Sequence, residues 1–244
     1  MYYLSECLII KNENQYLLEH INSDVQAGIE HFYIYDNLSD YSVEFFLKEN
    51  APNLLKKCTI EIFADESTLR QQNCYAKFLK QHGKETKWIA FTDTDEIFEG
   101  DFKTLCKENE SEFAGFYFNG IVHGANGHAF KNNKTLKENF YNDVISSWFY
   151  RKSVMQTEFI KIQDIHTTTL NTNKKIIIVK NDLKEKVKLH HYFYKSFEEW
   201  VLKVLRGSMH NSELYRIWLF FKDNKIDNCE MQQVLSKYNV TLYE

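Results

Sequence analysis

Two carboxylates separated by one residue, Asp93 and Asp95, stand where the apolar run Trp88-Ile89-Ala90-Phe91 gives out, with Glu96 directly behind them. On an extended chain alternate side chains point the same way, roughly 7 Å apart at Cα, so a bend there lets both serve one divalent ion. Hard cations such as Mn²⁺ or Mg²⁺ favour carboxylate oxygens and bind a diphosphate beside them. An ion so placed neutralises charge developing on a departing diphosphate, the main barrier to breaking a sugar–phosphate bond. A solvated acidic turn is the plain alternative for any Asp-x-Asp. The aromatic strand before the pair and the glutamate after it favour the metal–diphosphate reading.

Other polar groups stand at comparable places. Asn12 and Glu13 end the first apolar run, and Asp36 and Asn37 end the second. A carboxylate or amide there can accept from a uracil N–H or bond a ribose hydroxyl, although Asn and Asp also favour such places as caps and turns. His191, after a strand-like segment, and His166, after Asp164, are candidate third ligands, since a neutral imidazole suits Mn²⁺-like ions. Gly124-Ala125-Asn126-Gly127-His128 is a flexible loop that can close over a sugar or simply turn the chain. Phe118 and Trp148 are aromatic candidates for stacking on a sugar face. His20, His31, His82 and His210 carry no signal.

The elements that position these groups alternate. Leu4 to Ile10 is a strand pattern; Leu17, Leu18, Ile21 and Val25 follow at helical spacing until Gly28. His31 to Tyr35, Cys58 to Phe63 and Lys87 to Thr92 are further strands. A helix is expected over Val43 to Glu49, and another whose face carries Leu69, Asn73, Ala76 and Leu79, ending at Gly83. Near-continuous apolar strands alternating with helices predict an α/β fold, a mostly parallel Rossmann-like sheet covered on both faces. Ligands in such sheets bind beyond the carboxyl ends of the strands, where the polar groups above all fall.

The second half is less regular. Glu112 to Asn119 is a strand pattern, Gly120 to His128 a glycine-bearing loop, Asn132 to Asn139 a polar exposed stretch, and Ile176 to Val179 and Val187 to Tyr194 strands. Ser196, with Glu199 three residues on, caps a helix through Phe197, Trp200, Val201, Val204 and Leu205. The expected organisation is one domain over residues 1–195 with a C-terminal helical extension over 196–244.

Composition sets outer bounds. The 244 residues are 43% hydrophobic and 16% aromatic, enough for a substantial core. A net charge of −4 gives no electrostatic basis for a nucleic-acid partner. The five scattered cysteines have no CxxC spacing and fit free thiols in a reducing compartment. The N-terminus lacks a basic segment followed by a long apolar run, and no run reaches the length of a membrane span. A cytoplasmic protein is expected. The stretch Trp200 to Lys222 mixes aromatics with Lys203, Arg206, Arg216 and Lys222. It is expected to pack on the domain, with peripheral contact at an inner-membrane face as the alternative.

Taken together, these stretches resemble the GT-A glycosyltransferases, specifically the family 92-like group related to family 2. The resemblance runs through Cys7 to Glu13 with Leu17-Leu18-Glu19-His20, and Gly28 to Asn37 with Ser39 and Asp40. It continues through Trp88 to Glu96 and Gly124 to His128, then His191-Tyr192 with Lys195-Ser196, Lys203, Arg206 and Gly207. It covers about residues 4–208. The resemblance implies that Asp93 and Asp95 hold Mn²⁺ or Mg²⁺ and the donor diphosphate, that Glu13 and Asp36 contact the nucleoside, and that Gln72 faces the donor. It also makes His191 a metal or diphosphate ligand and turns the loop Asn126, Gly127 and His128 toward the acceptor. The implied activity is inverting transfer of a sugar, galactose being the guess, from a UDP-sugar to a glycan or lipid-linked glycan. Surface polysaccharide or lipopolysaccharide synthesis is the implied setting. Inversion needs a carboxylate to deprotonate the acceptor hydroxyl, for which Asp143, Glu158 and Asp164 are candidates. The chain departs from the group in having His123 before the glycine of the loop, and in lacking a proline-bearing stretch around Lys161 to His166.

Three other readings compete. A nucleotidyltransferase on the same fold needs a glycine-rich loop after the first strand, where this chain has Lys11-Asn12-Glu13-Asn14-Gln15. A metal-dependent hydrolase built on His166, His190 and His191 needs tighter ligand spacing. A nucleotide-sugar-binding protein without transferase activity is separated from the enzyme by whether a UDP-sugar is ever turned over.

Overall fold

The computed structural model describes residues 1–145, 151–180, 182–205 and 220–240. The chain divides into two compact units, one of Met1–Ile121 with Phe149–His190 and one of Val122–Trp148 with His191–Glu244. Each is therefore discontinuous in sequence, unlike the single cut after residue 195 drawn from the sequence.

The first unit is an α/β sandwich. Its strands are β1 (Tyr2–Ile10), β2 (His31–Asp36), β3 (Cys58–Ile62), β4 (Thr86–Phe91), β5 (Glu96–Glu99) and β6 (Phe113–Asn119). Two short strands, β7 (Ile121–His123) and β8 (Val144–Ile145), come next. They are followed by β9 (Arg151–Gln156), β10 (Ile160–Gln163), β11 (Thr168–Leu170), β12 (Lys175–Val179) and β13 (Lys188–His191). Seven of them form one sheet in the order β12-β6-β9-β4-β1-β2-β3. All neighbours are parallel except β9, which runs antiparallel to both β4 and β6. The sheet is thus mostly parallel, as expected. Strand β9 was not anticipated, because Arg151-Lys152-Ser153 does not look like the start of a central strand.

Strand alternation explains how both faces are filled. Leu4, Leu8, Ile10, Phe32, Ile34, Trp88, Ala90, Phe116, Phe118 and Val154 share one core. The helices α1 (Asn14–Ala27), α2 (Val43–Asn50) and α5 (Phe102–Asn109) cover it with Leu17, Ile21, Val43, Leu47, Phe102 and Cys106. A short turn of helix, α3 (Pro52–Leu55), follows α2. The alternate residues Cys7, Tyr33, Tyr35, Ile89 and Phe91 face the opposite way, against Cys74, Tyr75 and Phe78 of α4 (Arg70–Gln81). The buried stripe of α4 is therefore Cys74-Tyr75-Phe78, and Leu69, at 57% exposed, is not on it. Phe118 belongs to the core, at 1% exposed, so it cannot stack on a sugar. Trp148 lies outside the described residues.

Helix α1 ends in a left-handed Gly28 (φ 105°), with the Ile29 N–H bonded to the Asp24 carbonyl at 2.9 Å. This closure satisfies the last carbonyls of the helix. The Gly28 Cα also lies so close to Lys103 of α5 that an added Cβ would sit 2.6 Å from the Lys103 Cβ.

In the second unit β7 pairs with β8. Its core gathers Ala125, Ala129, Tyr194, Phe197, Trp200, Val201, Val204, Phe220, Val234 and Leu235. Helix α6 (Leu136–Phe140) carries a capping box between Thr135 and Glu138 and buries Leu136 and Asn139, where a polar, exposed stretch was expected. Gly120 to His128 is likewise not all loop, since β7 runs through it. The expected Ser196–Glu199 box caps α7 (Phe197–Leu205): Glu199 N–H donates to the Ser196 hydroxyl, which itself donates to the Glu199 carboxylate at 2.7 Å. Trp200 of α7 is buried and Lys203 lies over the Phe193 ring at 4.8 Å, so this helix packs its aromatic face inward. Helix α8 (Asn228–Lys237) is capped by Asp227. Arg206, Gly207, His210 and Arg216 lie outside the described residues. No helix among the described residues is long and apolar enough to cross a membrane.

Candidate active site

Parallel strands β1, β2 and β4 end side by side, and their terminal loops are laced together. The Asn12 amide donates to Asp40 at 3.0 Å, and Asp40 N–H donates back to the Asn12 side-chain oxygen at 2.8 Å. Asn12 holds this place with a left-handed backbone (φ 58°), which asparagine tolerates better than most residues. Asn37 N–H donates to the Ile10 carbonyl at 2.7 Å, and its side chain exchanges two hydrogen bonds with the backbone of Asp65. Thr94 donates to Glu13, tying the acidic turn after β4 to the end of β1. Asn12, Glu13, Asp36, Asn37 and Asp93 thus gather at one end of one sheet.

Their individual roles differ from a simple list of ligands. Asp36 is buried and both its oxygens are spent on its own loop, accepting from Ser39 N–H at 2.9 Å and Val43 N–H at 3.0 Å. It shapes the loop. Asp93 is the most connected group: its Oδ1 accepts from Gln71 at 2.9 Å and its Oδ2 from the Lys152 ammonium at 2.7 Å. Gln71 also donates to the Tyr75 hydroxyl at 2.7 Å. The glutamine that touches Asp93 is therefore Gln71, on the Tyr75 face of α4, and not Gln72. Gln72 donates instead to Asp164 at 3.1 Å. Adjacent side chains of one helix thus reach two different carboxylates.

Lys152 is the residue at this turn that the sequence did not single out. It enters from β9, is 1% exposed, and pairs with both Asp93 and Glu96, the latter at 3.1 Å. Burial disfavours its charge, yet the fields of Asp93 and Glu96 win and hold its pKa well above the usual lysine range. Glu96 is also buried, and that burial pushes its carboxyl up to about 8, with Lys152 opposing and Asp93 and Asp95 adding to the rise. Glu96 further accepts from the Asp93 N–H at 3.0 Å, closing the turn. Asp95 is 4% exposed. A lysine two residues before the apolar pair Val154-Met155 was the available signal for Lys152.

The candidate ligands and bases separate on placement. His166 bonds the Arg151 carbonyl at 2.9 Å; burial, then Lys152, lower its pKa, so it is neutral near pH 7. The fields of Asp93 and Asp164 also reach it. Asp164 is exposed and accepts from Gln72 and from Ile165 N–H at 2.7 Å. Glu158 lies at the wrong edge. The Thr157 hydroxyl next to it bonds Thr86 at the start of β4 at 2.6 Å, about 20 Å along a six-residue strand from the acidic turn. His191 and the loop Asn126–His128 fall in the second unit. There Asn126 has φ 48° and donates its amide to the Asn139 carbonyl, and its N–H is held by Asp143 at 2.6 Å. Asp143 is thereby a fastener of that loop. His191 is 6% exposed, with its ring edge-on to Phe193.

The donor chemistry at Asp93 and Asp95, hard carboxylate oxygens in a turn at a strand end, fits Mg²⁺ or Mn²⁺. The Lys152 ammonium supplies one positive charge to the same turn.

The fold and site together define an α/β protein with a mostly parallel sheet and an acidic, lysine-backed turn at the carboxyl ends of its strands. No protein-family model and no curated protein matches the chain. Among solved structures it is similar to TarS 1-349 from S. aureus, with a TM-score of 0.47 and 14% identity, covering 97% of this chain and 72% of that one. It is also similar to 4-diphosphocytidyl-2C-methyl-D-erythritol synthase from Anaerococcus prevotii DSM 20548, with a TM-score of 0.39 and 8% identity, covering 75% and 90%. The functional reading rests on this chain's own residues.

Proposed function

We propose that this chain is a GT-A-type glycosyltransferase that moves a sugar, galactose as the first candidate, from a UDP-sugar to a glycan or lipid-linked glycan acceptor with inversion. The observation that carries the reading is the turn Asp93 to Glu96 at the carboxyl end of β4, tied to β1 through Thr94–Glu13 and backed by buried Lys152. Nucleotide ligands of parallel sheets lie at this edge. Asn12, Glu13 and Asn37 line it for a ribose or base, on a rim that Asp36 makes rigid.

Asp93 and Asp95 would hold the Mn²⁺ or Mg²⁺ ion, which when bound supplies charge neutralisation for the departing diphosphate. Lys152 fixes the orientation of Asp93 by a charge-assisted hydrogen bond, so the carboxylate needs no reorganisation during the reaction. Of the three base candidates, Asp164 is best placed: it is exposed, in the first unit, and held by the glutamine next to the one on Asp93. No observation favours nucleotidyl transfer, because β1 and α1 are joined by Lys11-Asn12-Glu13 without the glycines of a phosphate-cradling loop.

A thermal-shift screen of nucleotide sugars with and without Mn²⁺ tests the reading. A UDP-sugar is expected to raise Tm in the presence of the ion, and Asp95→Asn is expected to lose that rise while keeping its own Tm. No metal-dependent rise with any nucleotide sugar would refute it.

A further inference from the structure

Glu6 is the anomaly of the first unit. It sits in the middle of β1, on the face that otherwise carries Leu4, Leu8 and Ile10, and it is 0% exposed. Opposite it, α1 presents His20 and Asp24, one turn apart and also 0% exposed. The His20 Nε2 lies 3.2 Å from Glu6 Oε2 and 3.7 Å from Asp24 Oδ2. Among the described residues this is the one group of three His, Cys, Asp or Glu side chains whose ligand atoms all fall within 4.8 Å of one another.

Two ionised carboxylates in a dry core cost several kcal/mol each unless something neutralises them. One imidazole, even protonated, balances only one, which leaves the other to hold either a proton or a cation. The Asp24 Oδ2, aimed at the imidazole, has no hydrogen-bond partner. The outer oxygens, by contrast, are both held: Thr92 donates to Glu6 Oε1, and Phe98 N–H donates to Asp24 Oδ1 at 2.9 Å. Each carboxylate is therefore oriented by a donor behind it, with its other oxygen turned inward. This is how ligand carboxylates are held around metals. Ligand atoms about 2.0–2.2 Å from one ion at tetrahedral or octahedral angles lie roughly 2.8–3.6 Å apart; the Glu6 separation falls inside that range and the Asp24 separation just beyond it.

We propose that Glu6, His20 and Asp24 form a buried structural site for a divalent first-row ion of the Zn²⁺ or Mn²⁺ kind. The imidazole among the ligands selects against Mg²⁺ and Ca²⁺. Full burial makes the site structural, filled during folding, with no open position for substrate. The bound ion joins β1 to α1 and, through Glu6, to Thr92, the residue that precedes Asp93.

The site is tested on protein purified without chelator and without nucleotide. About one equivalent of transition metal per chain is expected by elemental analysis. It should be retained in Asp93→Asn/Asp95→Asn, which removes the proposed donor-site ligands, and lost in His20→Gln. Stripping the metal from wild type with a strong chelator should lower Tm by about 5 °C or more, with recovery on adding Zn²⁺ or Mn²⁺ but not Mg²⁺. Co²⁺ in the stripped protein should give visible d–d absorption that Glu6→Gln abolishes. If wild type carries less than about a tenth of an equivalent, and no ion raises the Tm of the stripped protein, the proposal is overturned and the three groups share protons instead. That outcome is read on wild-type protein alone, so a variant that fails to fold does not obscure it. It is also independent of whether any nucleotide sugar binds.

Discussion

Replacing Lys152 by methionine deletes the ammonium from between Asp93 and Glu96 while nearly keeping its volume. Removing one partner of a buried ion pair generally costs about 3–5 kcal/mol, because the other charge is left unpaired. Two features moderate that here. The Asp93 side chain is 37% exposed, so water can take over part of the ammonium's role. Glu96 can escape by taking a proton, since its carboxyl is already raised to about 8 by burial. The expected loss is therefore about 2–3 kcal/mol at high pH, a fall in Tm of roughly 5–10 °C for a chain of this size. Its pH dependence has a definite sign. Without Lys152 the buried Glu96 carboxyl, already raised by burial, holds its proton more tightly still in the folded state than in the unfolded one. The deficit is then small at pH 5 and grows as pH rises through 8. Glu96→Gln added to Lys152→Met should recover about 1 kcal/mol or more at pH 9, since no charge remains to be buried beside Asp93. Urea unfolding of wild type, Lys152→Met and the double variant at pH 5 and pH 9 measures this. A Lys152→Met deficit equal at both pH values, or no recovery in the double variant, would refute the pairing.

Further expectations are open to measurement. Asp36→Ala removes acceptors from the Ser39 and Val43 N–H groups and should cost about 2–4 kcal/mol in urea unfolding; a loss below about 0.5 kcal/mol would show that the carboxylate does not shape the loop. His31 stacks on Tyr2 at 4.2 Å and bonds Thr59, and burial lowers its pKa to about 4. The unfolded chain then binds the extra proton first, so stability drains away as pH falls from 6.5 toward 4, and His31→Phe should flatten that limb of the Tm–pH curve. A Cβ on Gly115 would lie 2.5 Å from the Val154 carbonyl across the β6–β9 pair and against the Met155 sulfur, so Gly115→Ala should destabilise by more than about 1 kcal/mol; wild-type stability would contradict the close approach. If the proposed function holds, Asp95→Asn should reduce transfer by about 100-fold or more without changing the circular dichroism spectrum.

The parallel strands β1, β2 and β4 were legible because each is a largely apolar run that ends in Asn, Asp or Glu. The gathering of Asn12, Glu13, Asp36, Asn37 and Asp93 at one edge followed from that topology. What escaped was set by packing across long sequence separations. Gln71 and Gln72 differ by about 100° around α4, and only the aromatic stripe Tyr75–Phe78 decides which one meets Asp93. Leu69 and Ala76 pointed the sequence reading at the wrong stripe, because local apolarity says nothing about which partner arrives. Lys152 acquires meaning only beside residues some sixty positions earlier. His20 was silent for the same reason: Glu6 reaches it only after α1 folds back on β1.

The antiparallel strand β9 also sets an order of events. Strands β1 to β4 and their helices are contiguous in the chain and can associate as soon as Phe91 is made. Their neighbour on the growing side, however, is Arg151–Gln156, and β6 cannot join the sheet until that strand slots between. Closing so long a loop is slow compared with pairing adjacent strands. Until it closes, the acidic turn stands without its lysine. The cation that completes the turn is therefore a late arrival in folding, and a nascent chain released before β9 docks would carry an intact rim and an unbalanced centre.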